Sequence, residues 1–135
     1  MKEAVIAVIY GARTRHVLGA HRKDNEFDWG FPGGKVEPNE DHYDALKREL
    51  LEETGFCVIN DLTYYGMMPD GEYCVHIYLG TSTDIKFTFS DNEQLGEWID
   101  YTYLLKETNT FYNFNRELIY DLMLTGIATC IKEVQ

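Results

Sequence analysis

The stretch GGKVEPNEDHYDALKRELLEETGF, residues 33–56, constrains this chain more than any other. It packs seven acidic and three basic side chains into twenty-four residues, yet its apolar positions Ala45, Leu46 and Leu50 fall at helical spacing. Asp41 suits an N-cap, Asp44 follows three residues on, and Gly55 suits a stop, so the spacing predicts a helix from Asp41 to Thr54. Glu49, Glu52 and Glu53 stand on it at i, i+3 and i+4, which gathers their carboxylates on one face while Leu46 and Leu50 point elsewhere. Each like-charge pair costs roughly a few tenths of a kcal/mol in an isolated helix. Arg48 relieves part of this, and Glu40 adds a further carboxylate upstream. A solvated acidic surface is one reading of such a face. The other is a site for a hard divalent cation such as Mg²⁺, which is held by carboxylates together with substrate phosphates.

With 135 residues, 44% hydrophobic and 26% charged, the chain fits one folded domain, 1–135, able to bury a core without disulfides. A formal charge of −11 has the wrong sign for gripping duplex nucleic acid through its phosphates. It does not exclude a phosphorylated small molecule, because divalent ions between two sets of negative charge reverse the local field. Cys57, Cys74 and Cys130 form no CxxC pair and read as reduced thiols of a cytoplasmic protein. The apolar run Ala4 to Tyr10 is too short for a membrane span or secretory signal and is better as a buried strand.

HVLGAHR (His16 to Arg22) predicts a second strand, and WGFPGGKV reads as loop or strand edge. CVINDLTYYGMM and EYCVHIYLGTS flank PDG and predict a hairpin turning around Pro69 to Gly71. IKFTFS and EWIDYTYL are shorter strand candidates, and Phe114, Leu118, Leu122, Ile127 and Ile131 make the stripe of a second helix. The expected fold is α/β or α+β: a mixed sheet with a helix on each face.

From Gly34 the sequence runs G, five residues, Glu40, seven residues, Arg48-Glu49-Leu50, one residue, Glu52-Glu53, one residue, Gly55-Phe56. This resembles the signature of the Nudix hydrolases at every position, a coincidence on the order of 10⁻⁹ per starting point by chance. The resemblance implies an α/β/α sandwich that hydrolyses nucleoside diphosphates linked to another moiety, with Mg²⁺ as cofactor and Mn²⁺ as a substitute. It implies Glu49, Glu52 and Glu53 as metal ligands, joined by the carbonyl of Gly34, and Arg48 as the residue that orients a carboxylate, with Glu52 and Glu53 counted among the catalytic groups.

FPGGKVE and NEQLGEWI are similar to segments of the MutT-like branch, which cleaves nucleoside triphosphates to monophosphate and pyrophosphate. That likeness implies Glu93 as a further metal ligand or catalytic base, with Glu97 as its rival, and Asn115 as reader of a purine edge, though an Asn there also suits a helix cap. Lys35 and Arg22 complete the substrate-binding set. A dinucleoside polyphosphate hydrolase, for which Tyr73 is the matching residue, and an ADP-sugar hydrolase are the alternatives within the family. A catalytically silent nucleotide sensor is the alternative outside enzymes. The expected partner is a small nucleotide, with no duplex nucleic acid and no membrane, and the protein a monomer or homodimer.

Overall fold

The computed structural model describes residues 2–11, 15–55, 62–81 and 94–125. At its centre lies β1 (Lys2–Tyr10). Val5, Ala7 and Ile9 point to one side of it and pack with Leu18, Ala45, Leu46 and Leu50. Val8 and Tyr10 point to the other and pack with Phe114, Leu118 and Leu122. A strand buried on both faces needs an unbroken apolar run, which is what AVIAVIY supplies. The first cluster lies under α1 (His42–Thr54) and the second under α2 (Tyr112–Leu124), so a helix covers each face as the pattern predicts.

The sheet is mixed and has seven strands among the described residues. β1 runs parallel to β6 (Tyr73–Thr81) along its whole length, from Lys2↔Tyr73 to Tyr10↔Thr81. β6 pairs antiparallel with β5 (Thr63–Asp70), and β2 (His16–Arg22) pairs antiparallel with both β3 (Asn25–Gly30) and β7 (Gln94–Asp100). The remaining edge of β1 is divided. Tyr10 pairs with Val17 of β2, while Ala4, Val5 and Ile6 pair with the short strand β4 (Gly33–Lys35). Between these, the Ala7 amide donates to the Pro32 carbonyl at 2.9 Å.

Helix α1 begins and ends where its sequence signals stand. The Asp41 carboxylate accepts from the Tyr43 amide at 3.2 Å, satisfying a donor that the first turn leaves free. Gly55 takes the left-handed conformation at φ 76°, and its amide donates to the Leu51 carbonyl at 2.8 Å. Ala45, Leu46 and Leu50 are fully buried, and Leu50→Ala would remove about 2 to 5 kcal/mol of packing.

Of the two readings of WGFPGGKV, loop or strand edge, its ends take the second: Trp29 and Gly30 close β3, and Gly33, Gly34 and Lys35 make β4. Two local expectations are corrected. In the hairpin, Pro69 is still in β5, opposite Cys74, and the turn is Gly71-Glu72. The segment after β7 is a 3₁₀ turn, Tyr101–Leu105, because Asp100 caps it, accepting from the Thr102 amide at 3.0 Å and its hydroxyl at 2.7 Å. Cys74 is a free thiol. Cys57, Cys130, IKFTFS, Ile127 and Ile131 lie outside the described residues. No described helix is long and apolar enough to cross a membrane.

Asp100 also receives the Arg15 guanidinium, with Nε at 3.0 Å. Burial alone would raise its pKa, but the hydrogen bonds from Arg15 and Thr102, with the Arg15 charge, outweigh that and bring it from the usual 3.8 to about 2. A carboxylate so depressed adds stability above its unfolded pKa and loses it as pH falls through the folded one. Asp100→Asn should therefore cost about 1 kcal/mol at neutral pH, after allowance for solvent screening. In denaturant titrations the gap between variant and wild type should close between about pH 4 and pH 2; a gap independent of pH would place the effect in the cap instead.

Candidate active site

The acidic face of α1 meets β4. Glu53, only 3% exposed, accepts from the Gly33 amide through Oε1 at 3.4 Å, and its Oε2 is buried without a partner. Burial, then the charge of Glu49, pushes the Glu53 carboxyl well above its ordinary pKa. Burial and the Glu52 charge raise Glu49 too, against the pull of Arg48. The Glu49 carboxylate lies so close to the backbone of Gly34 that a Cβ at position 34 would run into it. Glycine here is a matter of space.

Arg48 offsets part of this charge. Its Nε and Nη2 bind the two Glu40 oxygens at 3.0 Å each, a bidentate pair, while Nη1 binds Glu49 at 2.9 Å. Glu52 lies 3.7 Å away. Nη2 also donates to the Lys35 carbonyl at 3.1 Å, tying the helix to β4. Hydrogen bonds from Arg48 and the Glu37 amide hold Glu40 below the ordinary carboxylate range. Glu49, Glu52 and Glu53 with the Gly34 backbone offer oxygen donors alone, the chemistry that hard divalent ions take.

On the other side of β4 is a cavity of about 230 Å³. Gly33, Gly34 and Lys35 form one wall, and Phe31, Tyr73 and Phe114 supply aromatic surface. Asn115 is 1% exposed and reaches the same space. Its Nδ2 donates to the carbonyls of Trp29 at 3.2 Å and Leu104 at 3.1 Å, which fixes the amide's orientation. Its Oδ1 is left buried with no partner. Trp29 is held in turn by Asn109, whose Oδ1 accepts from the Trp29 amide at 2.9 Å and whose Nδ2 donates to the Tyr103 carbonyl at 2.8 Å. A buried amide oxygen without a donor is costly unless something else supplies one.

The structure thus brings Gly34, Lys35, Arg48, Glu49, Glu53 and Asn115 to the two sides of one short strand, while Glu52, 43% exposed, stands beside them 3.7 Å from Arg48. Asn115 is not a cap: the cap position of α2 is Phe111, and Asn115 is the fourth helical residue. Arg22 does not line the cavity; it pairs with Asp24 at 3.1 Å on an exposed turn. Glu93 lies outside the described residues, and Glu97 is exposed on β7, 4.0 Å from His21 Nε2. The sequence reading missed Phe31 and Phe114 as cavity walls. The aromatic directly before PGG was the available signal.

The chain matches the NUDIX domain over residues 1–122 and belongs to that family. Among curated relatives, an 8-oxo-dGTP diphosphatase of Buchnera aphidicola subsp. Schizaphis graminum is 41% identical over 56 residues, 41% of this chain and 43% of that protein. The CTP pyrophosphohydrolase of Escherichia coli K12 is 47% identical over 58 residues, 41% of this chain and 42% of that protein. The matched segment thus spans less than half the length of these relatives. A MutT structure from work on Aliivibrio salmonicida and Vibrio cholerae superposes with a TM-score of 0.66 at 24% identity, covering 89% of this chain and 98% of that one. The MutT protein of Bacillus halodurans gives 0.67 at 19%, covering 90% and 82%. At these identities the structures attest the fold.

Burying the Glu53 carboxyl beside Glu49 costs stability that a divalent ion would restore. In chelator, Glu53→Gln should therefore raise the melting temperature by a few degrees, about 1 kcal/mol, because it keeps the Gly33 hydrogen bond and removes the buried ionisable group. Thermal unfolding with and without Mg²⁺ checks this, and the order of the two proteins should reverse when Mg²⁺ is added.

Proposed function

We propose that this chain hydrolyses a nucleoside triphosphate to monophosphate and pyrophosphate with the help of Mg²⁺, for which Mn²⁺ can substitute, and that oxidised purine nucleotides are among its substrates. The observation that carries this reading is the common wall: β4 presents its glycine backbone to the carboxylates of Glu49 and Glu53 on one side and to an aromatic cavity on the other. The cavity is smaller than the roughly 300 to 1,000 Å³ of ordinary small-molecule pockets, so it suits a base and leaves the phosphates outside.

Glu49, Glu52, Glu53 and the Gly34 carbonyl would hold the ion, whose contribution when bound is to polarise phosphoryl oxygens and ease deprotonation of water. The unpartnered Glu53 oxygen and the close approach of Glu49 to Gly34 fit that role. Arg48 keeps Glu49 aimed by holding it and Glu40 together. Lys35, in the cavity wall, offers a cation to the phosphates. Phe31, Tyr73 and Phe114 take the flat faces of a base, and the free Oδ1 of Asn115 accepts from an N–H on a purine edge. Glu93 is assigned with Glu52 and Glu53 to the group that accepts the proton of the attacking water. We read 1–135 as one domain, acting in the cytoplasm on small nucleotides as a monomer or homodimer. The names of the relatives, which act on 8-oxo-dGTP and CTP, support this substrate class.

Product chromatography tests the reaction. A triphosphate should give pyrophosphate and monophosphate, with activity lost in chelator; two nucleotides from one dinucleoside polyphosphate, and inertness toward triphosphates, would replace this reading with the alternative that Tyr73 favours. Glu52→Gln or Glu53→Gln should lower kcat by at least about a hundredfold with the fold intact. Near wild-type turnover at saturating Mg²⁺ would remove these residues from the site.

Asn115→Ala should narrow the ratio of kcat/KM between purine and pyrimidine triphosphates by about 1 to 3 kcal/mol, since the purine edge loses its partner. Steady-state kinetics across the four bases measures it. Unchanged ratios with a lower melting temperature would make Asn115 a structural clamp on Trp29 and Leu104.

A further inference from the structure

Glu3 on β1, His42 at the first position of α1 and His76 on β6 converge at a place the proposed reaction does not use. One potential ligand atom from each lies within 4.8 Å of the others. His76 Nε2 is 3.0 Å from Glu3 Oε1, His42 Nε2 is 3.9 Å from the same oxygen, and the two imidazole rings stack at 3.7 Å. We infer that Glu3, His42 and His76 form a second metal site, for one divalent transition-metal ion of the zinc class, separate from the carboxylates of α1.

The donor set separates the two sites chemically. Two imidazole nitrogens and one carboxylate suit zinc and its first-row neighbours, whereas the all-oxygen set of Glu49, Glu52 and Glu53 suits Mg²⁺. They are also apart in space, since His42 precedes Glu49 by seven residues of one helix, about 10 Å. In a four-coordinate zinc site neighbouring ligand atoms are about 3.3 Å apart, given metal bonds of about 2.0 Å. The Glu3–His76 pair already meets that, and His42, with a third of its side chain exposed, has room to swing inward and unstack. Glu3 is 44% exposed, so the ion has an approach from solvent and a place for a water as fourth ligand.

The arrangement behind His76 fits as well. Its side chain is 7% exposed, and its Nδ1 lies 3.1 Å from the Tyr64 hydroxyl. A histidine bound to metal through one nitrogen nearly always donates its other N–H to a neighbour, which fixes the ring. In the neutral ring, Nε2–H faces Glu3 while Nδ1 accepts from Tyr64. With an ion on Nε2, the ring's one proton sits on Nδ1 and is donated to the Tyr64 oxygen. An ion there would clip β1, β6 and the start of α1 together.

Zinc binding to the intact protein in saturating Mg²⁺ tests the site, by equilibrium dialysis and by X-ray absorption of the zinc-loaded protein. Wild type and Glu53→Gln should each retain one Zn²⁺ per chain with equal affinity. His42→Ala and Glu3→Gln should weaken it more than tenfold, and Tyr64→Phe about tenfold. Zinc should raise the melting temperature of wild type and leave that of His42→Ala unchanged, the two proteins melting together in chelator. The absorption spectrum should report two imidazoles, a readout that needs no variant to fold. The site is overturned if wild type retains no zinc under Mg²⁺, if zinc sits in an all-oxygen shell, or if Glu53→Gln loses it while His42→Ala does not. Those results would leave Glu3, His42 and His76 as a hydrogen-bonded clasp between strands.

Discussion

The Arg48 guanidinium reaches four carboxylates, of Glu37, Glu40, Glu49 and Glu52, and one carbonyl, that of Lys35, and the most acidic part of the chain folds around those contacts. Without it, α1 would present its glutamates to one another across a single face with nothing but water between them. A lysine could neutralise the same charge. It could not bind both oxygens of Glu40, hold Glu49 and meet the Lys35 carbonyl at once, because those contacts use the planar fork of a guanidinium. The loop before the helix, the helix itself and β4 are thereby held in one register.

That register matters because β1 leaves little freedom elsewhere. Its apolar residues are buried alternately under α1 and α2, so a slip by one residue would turn each core side chain to the wrong helix. With β6 paired along its full length, only the opposite edge of β1 can be shared, and β4 takes the part of it from Ala4 to Ile6, where the cavity lies. The cavity is thus floored by β1, β4 and β6 and closed by Phe114 and Asn115 of α2. The polar groups around it are then held by neighbours rather than by their own elements, as Asn115 and Asn109 are on Trp29.

How much of this was legible in the chain follows from how local each cause is. α1 could be read almost to the residue because its cap, its stop and its apolar stripe are all contiguous, and the carboxylate cluster came with it because helical periodicity alone puts Glu49, Glu52 and Glu53 together. β3 and β4 were hard to see, since a three-residue strand of Gly33, Gly34 and Lys35 has no side-chain pattern and exists because Ala4, Val5 and Ile6 offer it an edge. The 3₁₀ turn after β7 depended on Asp100 folding back on Thr102, a choice that the tyrosines of YTYL disguise as strand. Asn115 could be named from its likeness to a family position, but its unpartnered oxygen is set by carbonyls of Trp29 and Leu104, and Leu104 belongs to a different element from either residue. Glu3, His42 and His76 had no local signal at all, being joined only by the parallel pairing of β1 with β6 and the entry angle of α1.

The shortness of β4 has a metric consequence. Three extended residues span about 7 Å between their outer α-carbons, and the strand is bonded to β1 along one edge and to Arg48 through Lys35, so this interval cannot stretch. Whatever meets either side of β4 therefore meets backbone whose spacing is set by covalent geometry, before any side chain is chosen.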